Sequence, residues 1–128
     1  MTQIEHFALF TDQLERLRDF YVEAFGLRVV LDNSRAPVPG YFLADGRGVV
    51  LEIIERPQEI PAVETRYACH VAFSVADLGA ARARLEVFGC RFEAETAVET
   101  DSFKTAFFRD PAGNRCQIVW RQTPLVGD

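Results

Sequence analysis

The sequence is poor in sulfur: one methionine and three cysteines in 128 residues, with no CxxC pair. Three cysteines are an odd number without the CxxC spacing of a metal or redox motif. Cys69, Cys90 and Cys116 are therefore expected as reduced, mostly buried thiols of a cytoplasmic protein. Cys69 and Cys116 adjoin His70 and Gln117, but neighbours on a strand point to opposite faces, so neither sulfur is expected to face a site built on those residues. Basic charge is also in deficit. Fourteen Lys and Arg against nineteen Asp and Glu leave a net charge of -5, which argues against nucleic acid or an anionic membrane as partner. No apolar run approaches the ~20 residues of a membrane span. The opening residues Met1 to His6 lack a basic segment and an apolar core, so no secretory signal is expected.

What the chain does have is apolar mass and a repeat. Hydrophobic residues make up 48% of it, with eleven phenylalanines, enough for a rigidly packed core in one domain or in two half-domains that share one. The segment His6-Phe7-Ala8-Leu9-Phe10 has a counterpart in His70-Val71-Ala72-Phe73-Ser74. Each leads into an amphipathic stretch closed by glycine, at Gly26 and Gly89. Each copy ends on a matching approach, Asp45 to Glu52 and Asp110 to Gln117, which pairs Glu52 with Gln117. The chain has only two histidines, and both open a copy.

In order, the pattern predicts a strand over Ile4 to Phe10, then a helix begun by an Asp12/Glu15 capping box. Leu14, Leu17, Tyr21 and Phe25 form its buried face, and Gly26 ends it. Strands follow at Leu27 to Leu31, Tyr41 to Ala44 and Val49 to Ile54. The last of these has Glu52 on one face and Leu51 and Ile53 on the other. Pro57 to Arg66 reads as the linker. The second copy predicts strands at Cys69 to Val75, Cys90 to Ala94, Phe103 to Arg109 and Arg115 to Arg121. Its helix is capped by Asp77 and has Leu78, Ala81, Leu85 and Phe88 on one side. Glu95 to Asp101 reads as a connection and Gln122 to Asp128 as a tail. The organisation is one domain over 1–128, with modules at 4–56 and 67–121, linker 57–66 and tail 122–128.

If the first and last strands of each copy are neighbours, His6 lies beside Glu52 and His70 beside Gln117. Two imidazoles, a carboxylate and an amide oxygen suit a divalent first-row metal. The small neighbours Ala8, Ala72 and Ser74 leave room for a pocket. The plainer alternative is that each polar residue is satisfied locally. A bare carboxylate flanked by apolar neighbours costs several kcal/mol, so Glu52 requires a partner of some kind.

The duplicated βαβββ unit, the His-x-Ala openings, Leu51-Glu52-Ile53 and the Asp110-Pro111-Ala112-Gly113-Asn114 turn resemble the vicinal oxygen chelate superfamily over about Ile4 to Arg121. This is the family of glyoxalase I, fosfomycin-resistance proteins, extradiol dioxygenases and bleomycin-resistance proteins. The resemblance implies an α+β fold of two tandem βαβββ modules. They would form a cupped, mostly antiparallel eight-stranded sheet with a pseudo-twofold axis. It implies a metal set of His6, Glu52, His70 and Gln117 holding Ni, Zn, Co, Mn or Fe and no separate organic cofactor. Glu52 is then the one carboxylate of the set able to move a proton, and is expected as the catalytic residue. The last ligand is usually glutamate in the family; here it is glutamine, so the two-carboxylate chemistry does not carry over.

The leading expectation is a lyase or isomerase similar to glyoxalase I, acting on a small vicinal-oxygen substrate or its thiol adduct through an enediolate-like intermediate. A metal-free drug-binding protein of the bleomycin-resistance kind stands beside it, with Tyr41, Phe42, Phe103, Phe107 and Trp120 as candidate lining. An Fe(II) dioxygenase using His6, His70 and Glu52 is the third. The resemblance also implies a homodimer in which the halves of two chains form each site. Specificity is expected in Asp32 to Gly40 and Glu95 to Asp101, with Arg35, Arg66 and Arg115 as candidate anion holders.

Overall fold

A strand, a helix and three further strands occur twice along the chain in the computed structural model, which describes residues 5–61 and 70–125. The first unit, within residues 1–63, has β1 (His6–Thr11), α1 (Leu14–Phe25), β2 (Arg28–Asn33), β3 (Gly40–Ala44) and β4 (Val50–Glu55). The second, within residues 64–128, has β5 (Val71–Ser74), α2 (Leu78–Val87), β6 (Val98–Glu99), β7 (Phe103–Arg109) and β8 (Arg115–Arg121). Each unit forms a four-stranded sheet, in the orders β1-β4-β3-β2 and β5-β8-β7-β6. The outer pairs β1/β4 and β5/β8 are parallel and the other pairings antiparallel. The α+β fold of two βαβββ modules is thus as expected.

Alternation along the closing strands decides the two faces of each sheet. Leu51 and Ile53 are buried on the face that α1 covers, with Leu14, Leu17, Phe20 and Tyr21 of the helix. Ala106, Phe108, Cys116 and Ile118 do the same beside Leu85 of α2. Burying one such large apolar side chain is worth about 1.5–3 kcal/mol. Glu52 and Gln117 fall at the intervening positions, half-buried on the opposite faces.

The same turn precedes both closing strands. Asp45 Oδ1 accepts the backbone N–H groups of Arg47 and Val49 at 2.8 and 2.9 Å. Asp110 Oδ1 accepts those of Ala112 and Asn114, both at 2.9 Å. Gly48 and Gly113 carry the turn through φ of 91° and 86°, a region costly for other residues. Asp110 is buried and also takes the Asn114 amide on Oδ2 at 2.9 Å.

Three local expectations are corrected. The N-cap of α1 is Gln13, with no side-chain cap. Asp12 is drawn instead to Arg56 at 3.0 Å, while Thr11 Oγ1 accepts the Gln13 N–H. Cys90 to Ala94 makes a single bridge, Phe92 with Phe108, closed by the Glu93 N–H donating to the Phe107 carbonyl at 2.9 Å, rather than a strand. The short strand β6 lies inside the expected Glu95–Asp101 connection. Asp77 caps α2 through the Ala80 N–H as expected, and Gly26 closes α1 at φ 69°.

Cys90 and Cys116 are buried free thiols. Burial, with Asp110 nearby, pushes the Cys90 pKa up to about 11, so it stays protonated. Cys69, Arg66, Ile4, linker residues 62–66 and tail residues 126–128 lie outside the described residues. Among the described residues no helix is long and apolar enough to cross a membrane.

Because a buried carboxylate with three charge-assisted hydrogen bonds is costly to replace, Asp110→Ala should destabilise the protein by about 3 kcal/mol. Asp45→Ala, in the less buried copy of the turn, should cost less. Urea unfolding of both variants checks the order.

Candidate functional site

The parallel β1/β4 register sets Ala8 opposite Glu52 and His6 opposite Val50, so His6 and Glu52 share a face one step apart. His6 Nε2 stands 3.4 Å from Glu52 Oε1, long for a hydrogen bond. On its other side His6 Nδ1 is 2.7 Å from Glu5 Oε1. A carboxylate only accepts, so Nδ1 carries the proton, and in the neutral ring Nε2 presents its lone pair towards Glu52. Among the described residues Glu52 has no further polar partner, and neither of its oxygens is a buried, unsatisfied atom. Two ligands of a tetrahedral zinc-like ion stand about 3.3–3.5 Å apart. The pair has that spacing and the right donor types, and fits half of a divalent-metal site.

In the second unit Ala72 lies opposite Gln117 in the parallel β5/β8 pair, and His70 immediately precedes β5. The Gln117 amide donates to Thr105 Oγ1 at 2.5 Å, and Thr105 donates to the Ile118 carbonyl at 3.0 Å. No described group takes the Gln117 Oε1. Its neutral oxygen is a weaker donor than a carboxylate.

The two histidines rest on equivalent phenylalanines. The His6 ring meets Phe42 edge-on, with centroids 5.1 Å apart at 82°. His70 meets Phe107 at 5.2 Å and 76°. Phe42 is the cross-strand partner of Glu52, and Phe107 that of Gln117. Sequence reasoning weighed both rings only as pocket lining and missed them as histidine supports. Each phenylalanine precedes its Glu or Gln by ten residues, a repeat signal that could have found them. Thr105 was missed because its contact exists only across the hairpin.

Parity divides the aromatic candidates. Phe42, Phe103 and Phe107 share the faces of Glu52 and Gln117, whereas Tyr41 and Trp120 occupy the alternate positions. Tyr41 is buried and accepts from Arg18 at 2.8 Å. Arg115 is no anion holder open to solvent: it is 4% exposed, bound to both Glu93 oxygens at 2.9 and 3.2 Å, with its guanidinium carbon 3.8 Å from the Phe107 centroid. Arg35 is exposed. Among the described residues no three His, Cys, Asp or Glu side chains gather to hold a metal, and the donor pair in contact is His6 with Glu52, within the first unit.

The family described as Glyoxalase/Bleomycin resistance protein/Dioxygenase superfamily matches residues 3–118. No curated protein matches in sequence. Among solved structures, a glyoxalase family protein from Enterococcus faecalis is 26% identical, with 91% of this chain and 96% of that one covered at a TM-score of 0.73. TnmS3, an antibiotic-binding protein from Streptomyces sp. CB03234, is 21% identical, with 95% and 98% covered at 0.74. A variant of the fosfomycin resistance protein FosX from Listeria monocytogenes, complexed with Mn(II) and 1S,2S-dihydroxypropylphosphonic acid, is 15% identical, with 98% and 95% covered at 0.78.

The Arg115 hydrogen bond holds the Glu93 carboxyl below its usual 4.5. A carboxylate with a depressed folded-state pKa contributes stability above its unfolded value and loses it as pH falls through the folded one. Glu93→Gln should therefore be less stable than the parent at pH 7, and the gap should shrink as pH falls through the depressed Glu93 pKa. Chemical denaturation across that range gives the measurement.

Proposed function

We propose, from the premise that the chain belongs to the Glyoxalase/Bleomycin resistance protein/Dioxygenase superfamily, that it is a metal-dependent lyase or isomerase. Its substrate is a small molecule with two neighbouring oxygens, or the thiol adduct of one. The observation that carries this reading is the 3.4 Å approach of His6 Nε2 to Glu52 Oε1, with Glu5 on the far side of the imidazole. Two acceptor atoms facing each other need a positive centre between them, either a proton or a cation. His6 and Glu52 from one sheet, with His70 and Gln117 from the other, are the proposed donors.

A divalent metal held there supplies Lewis-acid polarisation of the substrate oxygens. The chain's own residues do the rest. Glu5 orients His6. Gln117 brings an oxygen but no ionisable proton, so Glu52 is the one carboxylate of the set that can take a proton from one carbon and return it to the next. The Mn(II) in the FosX variant supports the reading to the extent that this fold accommodates such an ion.

The purified protein, titrated calorimetrically with Ni, Zn, Mn and, without air, Fe(II), should bind at least one of them stoichiometrically. Glu52→Ala and His6→Ala should each weaken binding by more than the roughly 10–100-fold that loss of an outer partner costs. A wild-type protein that takes up none of these ions overturns the proposal and puts a metal-free drug-binding protein in its place. Oxygen consumption on turnover would move it to the dioxygenases.

A homodimer belongs to the same proposal. Edge strand β2 leaves Val29, Val30 and Leu31 exposed by 39%, 43% and 50%, an apolar edge that a second chain would cover. Sedimentation velocity should give a dimer, and Val30→Lys with Leu31→Lys should shift it to monomer.

A further inference from the structure

The two sheets treat their polar centre differently. Thr105 lies opposite Val119, two residues beyond the Phe107/Gln117 pair, which puts its side chain on the Gln117 face. The position with the same register in the first unit is Gly40, opposite Ile54 and two residues beyond Phe42/Glu52. A Cβ built on Gly40 would stand 2.8 Å from the Ile53 carbonyl oxygen, closer than real contacts allow. The first sheet therefore has no room for a counterpart of the Thr105 hydroxyl.

The hydroxyl has one proton. A carbonyl can only accept, so the 3.0 Å contact with Ile118 uses that proton. What Thr105 offers Gln117 is then a lone pair, and the part of the amide facing it at 2.5 Å must be the NH2. This fixes the amide's orientation by hydrogen-bond logic alone. The Oε1 is left outward, with no described partner and not buried.

We propose that Thr105 is a positioning residue that holds the Gln117 amide oxygen-outward. It makes a fixed neutral ligand at the place where the other sheet has a carboxylate. The ligand half of this statement rests on the function proposed above; the orientation half does not. The division of labour is physical. An amide free to flip would present NH2 to a cation half the time, whereas a tethered one pays that ordering cost in the apo protein. Glu52 needs no such tether, because both of its oxygens accept.

The test uses Thr105→Val, which keeps shape and removes the hydroxyl, and Thr105→Ser, which keeps the hydroxyl. The Gln117 side-chain NH2 resonances, assigned by their loss in Gln117→Ala, should show one slowly exchanging, shifted proton in the wild type and Thr105→Ser. That signature should vanish in Thr105→Val. In parallel, Zn or Ni affinity should fall roughly 10–100-fold in Thr105→Val and stay close to wild type in Thr105→Ser. An unchanged NH2 signature in Thr105→Val overturns the proposal, as does a Thr105→Ser variant that binds metal as weakly as Thr105→Val. If the wild type binds no metal, the functional reading fails while the resonances still decide the orientation.

Discussion

The register of the two closing strands is the constraint on which everything else depends. A strand has two faces and a period of two, so a slip of one residue would turn Glu52 towards α1 and expose Leu51 and Ile53. The Asp45 and Asp110 turns prevent this, each carboxylate gathering two backbone N–H groups at the point where β4 or β8 begins. With the register pinned, the helix-facing positions take the apolar residues, and the polar group is left on the other face without any separate device to put it there.

On that shared frame the copies have diverged in how they hold their polar atoms. In both, a histidine stands edge-on to a phenylalanine that is the cross-strand partner of the Glu or Gln. The first copy then leaves its carboxylate with little beyond His6 for company. The second ties its amide into a threonine and a backbone carbonyl. A carboxylate accepts through either oxygen whichever way it turns. An amide has a right and a wrong way round, so the second copy needs the extra contact and the first does not.

What was legible in the sequence was whatever depends on neighbours along the chain. The repeat, the Gly26 closure, the Asp77 cap and the alternation around Glu52 are all local patterns, and all appear in the fold. The misreadings of Asp12 and Arg115 turn on a partner far away in sequence. Asp12 had the spacing of a cap but found Arg56 across the fold. Glu93 pairs its side chain with Arg115, while its backbone N–H makes the one bridge of this segment to β7. Arg115 itself was a candidate anion holder and is among the most buried polar residues described. Local propensity is a weak prior wherever a buried charge can be satisfied only by a distant one.

That buried charge also explains how His70 is supported. His6 lies inside β1 and has carboxylates on both sides, at 2.7 and 3.4 Å. His70 lies just before β5, is exposed, and has no polar partner among the described residues. Its ring contact is Phe107, and Phe107 in turn has the Arg115 guanidinium 3.8 Å from its centroid. Glu93 holds Arg115 by two hydrogen bonds, an arrangement with directional stiffness that a lysine could not reproduce. The second copy has therefore moved the support from the histidine to the ring beneath it. A buried ion pair is a costly way to hold a phenylalanine if stability is the only return. It is a reasonable one if the orientation of an otherwise unheld imidazole depends on that ring staying still.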